Sequence, residues 1–390
     1  MSIELFNVFS VEKEREAKKE NNTDTQEIID KLKSGEYNLV IDQARYPLAA
    51  LSVIFASYDL HPDYQRNKVW DNQRKSKLIE SLIMNIPIPP VFLYEVSPSK
   101  YEVMDGLQRI STIIDFFNNK FSLEGLEVWS ELNGTLYKNL IPEIRDAINS
   151  RYLSGSVILN DSRNNKDKQH ELKRIVFERL NTGGIQLTKQ EIRNALNTGY
   201  MNSMINKFAD ENEVFNNLWS LGNSKNSRKS SKKPVDRMEK REMILRFFTY
   251  KDLLYNNVSM GTLQALDYYS SKSVDFSKEK VYSLESYLKD TLILVESLFG
   301  NQAFSKKSNT KSEKMIFDTV MLACSKLLDD GEVVNSIRSI ESNIELKNLF
   351  IEKDKKIFNG KYTALSNVKE RQEKFYDFLK SEIINGSQTK

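Results

Sequence analysis

The sequence predicts an α+β fold: a small mixed α/β domain followed by a mainly α-helical domain. Three observations predict it. The β-like runs VFLYEV (91–96), YEVM (101–104) and SGSVILN (154–160) all precede residue 165, and helical patterns fill the remainder of the chain. Of 390 residues, 39% are hydrophobic, with 20 Phe and 17 Tyr, which is enough to bury cores in two or three domains. The most apolar stretch, 47–58, is far shorter than the roughly 20 residues a membrane span needs.

In chain order, residues 1–44 read as a polar N-terminal extension with a short helix from Thr25 to Leu32. Residues 45–165 form the α/β domain. The run from Tyr46 to Leu60 is apolar, and Pro47 suits a helix start. HPDYQRNKVW (61–70) reads as extended and rich in donors. Asp71 is a plausible N-cap for a helix reaching Asn85, with Leu78, Leu82 and Ile83 at helical spacing. PIPP (87–90) stops it. The first two strands flank the turn SPSK and pair antiparallel. Asp105-Gly106 ends the second, and 109–118 is helical, with Ile110, Ile113, Ile114 and Phe117 on one face. Residues 166–390 form the helical domain. KQHELKRIVFERL is amphipathic, NTGG breaks it, and Thr188 with Glu191 makes a capping box for the next helix. Helices continue to about Asn385, with breaks at 222–234, 299–313 and 358–362. No internal repeat and no heptad pattern appears.

Composition narrows the chemistry. A single cysteine, Cys324, excludes an internal disulfide framework and a Cys-rich zinc site. His61 and His170 are far apart, so an HNH nuclease or a zinc hydrolase has too few ligands. Catalysis must run on carboxylates, Arg, Lys, Gln, backbone amides and a bound ion. Two Glu-x-Lys triplets, Glu171-Lys173 and Glu345-Lys347, sit in helical patterns rather than on nuclease-type strands. Neither triplet makes a convincing carboxylate-Lys nuclease motif. The N-terminus interleaves acids and bases with no apolar core and is not a signal peptide, so a soluble, cytoplasmic protein with no membrane partner is expected.

The net charge of +3 is uneven: eight Lys/Arg and two acids fall between Lys225 and Arg241, leaving a deficit elsewhere. Lys225, Arg228, Lys229, Lys232 and Lys233 are candidates for sequence-independent DNA contact. The same run reads equally as a solvated loop, and it lacks the aromatic residues that single-strand stacking uses.

Three constellations carry donors for an anion. In YEVMDGLQRIST (101–112), a strand delivers Asp105, Gly106 permits positive φ or close approach, and Gln108 and Arg109 open a helix. The alternative is an ordinary strand-end turn with Arg109 paired to an acid. In PDYQRNKVWDNQR (62–74), Tyr64, Gln65, Arg66 and Trp70 set stacking faces beside donors, or simply pack a Trp beside a salt-bridged Arg. In FERLNTGGIQLTKQEIRNAL (177–196), Asn181, Thr182, Gly183 and Gly184 can form an amide nest, or only a helix C-cap before a capping box.

Taken in this order, the three resemble one family: the DGQQR-motif domain of the GmrSD-type restriction proteins, also found in SspE-type phage-defence proteins and related to the ParB/sulfiredoxin-like fold. The resemblance covers about 45–200. It implies a nucleotide-binding component of a prokaryotic anti-phage or restriction system, taking a nucleoside triphosphate (GTP or ATP) with Mg²⁺ and acting on or sensing DNA. It implies that Asp105, Gly106, Gln108 and Arg109 form the nucleotide loop. Asp105, Gln108 and Arg109 would carry hydrolysis, and Asp105 would hold the metal. Tyr64, Gln65 and Arg66 would line the same pocket, and Arg179, Asn181 and Gly184 match the second motif. Leu107 departs from the family's Gln, and the HNH half of fuller relatives is missing. A non-hydrolytic DNA-binding adaptor and a ParB-type metal nuclease are the alternatives.

Overall fold

The computed structural model describes residues 5–9, 29–30, 33, 39–58, 70–159, 166–180, 188–219, 237–305, 312–331, 344–358 and 364–388. The chain divides into two compact units, Asp24–Leu196 and Met1–Thr23 with Asn197–Lys390. The sequence places the boundary near 165, whereas the next two helices belong to the first of these units.

The strands of Asp24–Leu196 are β1 (Val40–Pro47), β2 (Val91–Ser97), β3 (Lys100–Asp105) and β4 (Tyr152–Leu159). They form a sheet in the order β1-β4-β2-β3. β2 and β3 are antiparallel around the SPSK turn, β4 runs parallel to β2, and β1 is antiparallel to β4. The helices are α1 (Asn72–Ile83), α2 (Leu107–Phe117), α3 (Pro142–Asn149), α4 (Lys166–Leu180) and α5 (Lys189–Leu196).

Alternation along the strands feeds two cores. Val91, Leu93, Val103, Leu153 and Val157 pack with α1, α2 and α3. Tyr94, Met104 and Ile158 pack with Phe177 of α4 and Ile192, Ala195 and Leu196 of α5. The sheet is therefore sandwiched, as α+β sequence patterning requires.

Local rules explain the helix starts. The Asp71 carboxylate accepts the Arg74 amide at 2.8 Å, so it caps α1. Thr188 and Glu191 exchange the two bonds of a capping box, at 2.7 and 3.2 Å. The expected helix from Tyr46 to Leu60 is corrected. Tyr46 and Pro47 end β1, and among the described residues of that run only 48–57 is helical, in short pieces. β1 and α3 escape the sequence reading. β1 is an edge strand whose first four residues are exposed on both faces, so it shows no alternating pattern. Gly155 of β4 is required by the Tyr46 ring: a Cβ there would lie 2.6 Å from Tyr46 Cε2.

The second unit is helical: α6 (Tyr200–Glu211), α7 (Glu213–Leu218), α8 (Arg237–Tyr255), α9 (Thr262–Lys272), α10 (Lys278–Phe299), α11 (Lys314–Asp329), α12 (Ile344–Lys353) and α13 (Leu365–Gln388). Its centre is α11, buried almost throughout. The N-terminal residues 5–9 dock here. The carboxylate of Asp252 accepts the amides of Val8 and Phe9, both at 3.1 Å, and Phe6 and Phe9 enter the core. Among the described residues, no helix is long and apolar enough to cross a membrane.

Candidate functional site

The loop between β3 and α2 is built on Gly106. Its φ of +98° lets the chain turn from strand to helix, and a Cβ there would lie 2.5 Å from Val91 Cγ1 and 3.0 Å from Arg109 Nη2. A side chain cannot fit in that space, so glycine is required twice over. No side chain caps α2, and no acid occupies its first turn. That leaves the positive end of the helix dipole at the loop.

Asp105 and Arg109 flank the glycine and face each other. Arg109 Nη2 donates to Asp105 Oδ2 at 2.8 Å and to the carbonyl of Pro90 at 3.2 Å. The carboxylate is 40% exposed and the guanidinium only 14%. Arg109 Nε, and Thr112 Oγ1 one turn along α2, are buried without a hydrogen-bond partner among the described residues. Arg109 is thus paired to an acid, the second of the two sequence alternatives, and its guanidinium keeps a buried N–H without an acceptor among the described residues.

Gln108 and Leu107 point to different tasks. The Gln108 side-chain oxygen accepts the backbone N–H of Trp70 at 3.2 Å. This bond brings the end of the 62–74 motif to the DGLQR loop. At the other end, Tyr58 packs on Tyr101 of β3, with ring centroids 5.1 Å apart. Tyr58 also meets Phe55 at 4.8 Å. Tyr64, Gln65 and Arg66 fall outside the described residues. Leu107 is buried in the core under α2. The departure from the family pattern therefore puts a packing side chain where an amide is usual.

The third motif is joined to the loop's strand from the opposite face. Lys173 of α4 donates to Glu102 of β3 at 2.6 Å and lies over the Tyr94 ring. Sequence reasoning noticed Lys173 only as part of a Glu-x-Lys triplet; its partner is 71 positions away and no local pattern reveals it. Arg179 is exposed near the C-terminal end of α4. Asn181 and Gly184 fall outside the described residues. So do the DNA candidates Lys225, Arg228, Lys229, Lys232 and Lys233.

No group of three or more His, Cys, Asp or Glu among the described residues could hold a metal ion. Asp105 belongs to no such group among the described residues.

Residues 51–198 match the family model described as the GmrSD restriction endonuclease, N-terminal domain. This segment is a GmrSD-type N-terminal domain. The match ends two residues beyond the compact unit that closes at Leu196, and it contains the whole DGLQR loop. β1 precedes it. No curated protein and no solved structure matches the chain. A GmrSD domain points to a component of a restriction or anti-phage system.

Proposed function

We propose that this GmrSD domain binds a nucleoside triphosphate at the 105–109 loop and serves as the nucleotide-sensing part of a restriction system. The observation that carries the reading is the Asp105–Arg109 pair set against the Gly106 turn at an uncapped helix start. Arg109 supplies a charge-assisted donor to phosphate. The first-turn amides of α2 add uncommitted donors and the helix dipole. Asp105 takes one position on the magnesium ion of Mg²⁺·NTP, with GTP and ATP the candidate nucleotides. Arg66 offsets charge on the phosphoryl group, and Arg179, Asn181 and Gly184 contribute from the second motif.

Hydrolysis is the slower part of this reading. Leu107 is committed to the core and the Gln108 oxygen to Trp70. Leu107 has no polar atom to position an attacking water and Gln108 keeps only its NH₂ for that task, whereas binding needs only Arg109, Asp105 and backbone amides. This favours a switch or adaptor over a fast NTPase. DNA contact through 225–233 and cleavage by a separate nuclease subunit complete the proposal. Both Glu-x-Lys triplets lie on helices, and Lys347 donates to the Ser305 carbonyl at 2.6 Å rather than facing a carboxylate.

The test is to incubate the purified chain with each of the four NTPs and Mg²⁺. Nucleotide binding, phosphate release and plasmid nicking are then measured in parallel. Binding with slow phosphate release and no nicking is expected. Robust Mg²⁺-dependent nicking that Asp105→Ala abolishes would replace this reading with the metal nuclease.

A further inference from the structure

We infer that the Asp105–Arg109 ion pair couples anion binding to cation binding at this loop. A metal-free triphosphate must compete with Asp105 for Arg109, whereas a magnesium-bound one brings the cation that releases it. The inference rests on the reading of the loop as a triphosphate site.

Asp105 and a phosphate are acceptors of the same kind for a guanidinium. Asp105 is already in contact at 2.8 Å, tethered four residues away. A phosphate approaching Arg109 therefore meets an intramolecular competitor for the same donors. The pair is nonetheless imperfect. Both of the Arg109 bonds fall on Nη2, and Nε is buried with no acceptor. An unmet buried donor costs free energy, so moving the guanidinium to a richer acceptor recovers part of the loss. Exposure sets the order of events. The carboxylate is 40% exposed and the guanidinium 14%, so a cation reaches Asp105 more readily than an anion reaches Arg109. Once Asp105 faces magnesium, Arg109 is free to face phosphate. By linkage, the factor by which the cation favours the anion is the factor by which the anion favours the cation.

Calorimetry with inorganic tripolyphosphate, repeated with each NTP, tests this on the full chain in EDTA and in MgCl₂. Wild type should bind weakly in EDTA and about tenfold or more tighter with magnesium, the scale of one charge-assisted contact. Asp105→Asn should bind about tenfold tighter than wild type in EDTA and should lose most of the magnesium advantage. Asp105→Ser gives a second variant if the first folds poorly by its thermal melt. Asp115→Asn removes one negative charge elsewhere on α2 and should change nothing, which separates pairing from general charge. In an Arg109→Ala background, Asp105→Asn should bring no gain, because Asp105 acts through Arg109. The coupling is overturned if Asp105→Asn binds no tighter than wild type in EDTA, or if its gain persists without Arg109. If neither wild type nor Asp105→Asn binds tripolyphosphate or any NTP in either condition, the triphosphate reading itself falls.

Discussion

The side-chain oxygen of Gln108 holds the backbone N–H of Trp70 at 3.2 Å, a contact between residues 38 positions apart. It fastens Trp70, just ahead of α1, to the first turn of α2, directly beside Arg109. Gln108 thereby acts as a positioning residue. Gln108→Ala should remove a net hydrogen bond of about 0.5–1.5 kcal/mol. Hydrogen exchange at the Trp70 amide should then quicken several-fold, with the global melt little changed. Gln108→Glu, which still offers an oxygen to Trp70, should restore the wild-type exchange rate.

Gly106 is the least replaceable residue of the loop. Alanine there would have to hold a φ of +98° and place a Cβ 2.5 Å from Val91 Cγ1. Strain and overpacking together should cost about 2–4 kcal/mol. The urea midpoint of the Asp24–Leu196 unit should fall accordingly, while Gly134→Ala, at a positive φ with open space around it, should cost less than half as much.

Glu80 predicts an acid-sensitive element of the same domain. Its buried carboxylate accepts the amides of Glu127, Val128 and Trp129 at 3.1, 2.8 and 2.9 Å. Burial pushes its pKa up, but the three backbone bonds outweigh it and hold the group below the ordinary carboxylate value. A folded pKa below the unfolded one stabilises above the unfolded value, about 4.3, and that stability is lost as pH falls through the folded pKa. Glu80→Gln should cost about 1.5–3 kcal/mol at pH 7. The gap between variant and wild type in denaturant melts should close below about pH 4.

The helical unit carries a buried ion pair. Arg246 meets Asp318 through two hydrogen bonds, one of them at 3.2 Å from Nε, and both side chains are almost fully buried. Burial works against the Arg246 charge, but Asp318 more than offsets this and holds the guanidinium above its ordinary pKa. Asp318→Asn should cost about 3–5 kcal/mol because it leaves a buried charge uncompensated. Replacing the pair with Met and Leu should recover most of that loss in chemical denaturation.

Legibility from sequence tracked the range of the forces involved. The Asp71 cap and the Thr188–Glu191 box are set by neighbours three residues apart, and both stand where the sequence puts them. The β2–β3 hairpin was readable because a tight turn joins it. β1 was not: its partner β4 lies more than a hundred positions away, and its exposed faces give no periodic signal. The same limit applies at the site. The loop residues Asp105 to Arg109 were legible as a motif. Their partners, the Pro90 carbonyl and the Trp70 amide, are products of tertiary packing, as is the Glu102–Lys173 pair that ties α4 to β3.

The central claim is that Arg109 holds a phosphate. Calorimetric titration of wild type and Arg109→Ala with Mg²⁺·GTP and Mg²⁺·ATP, both variants showing the same thermal melt, tests it most directly. Loss of one charge-assisted contact should weaken binding by about 1.5–3 kcal/mol, roughly ten- to over a hundredfold. Equal affinity in the two proteins would contradict the assignment of the loop as the nucleotide site.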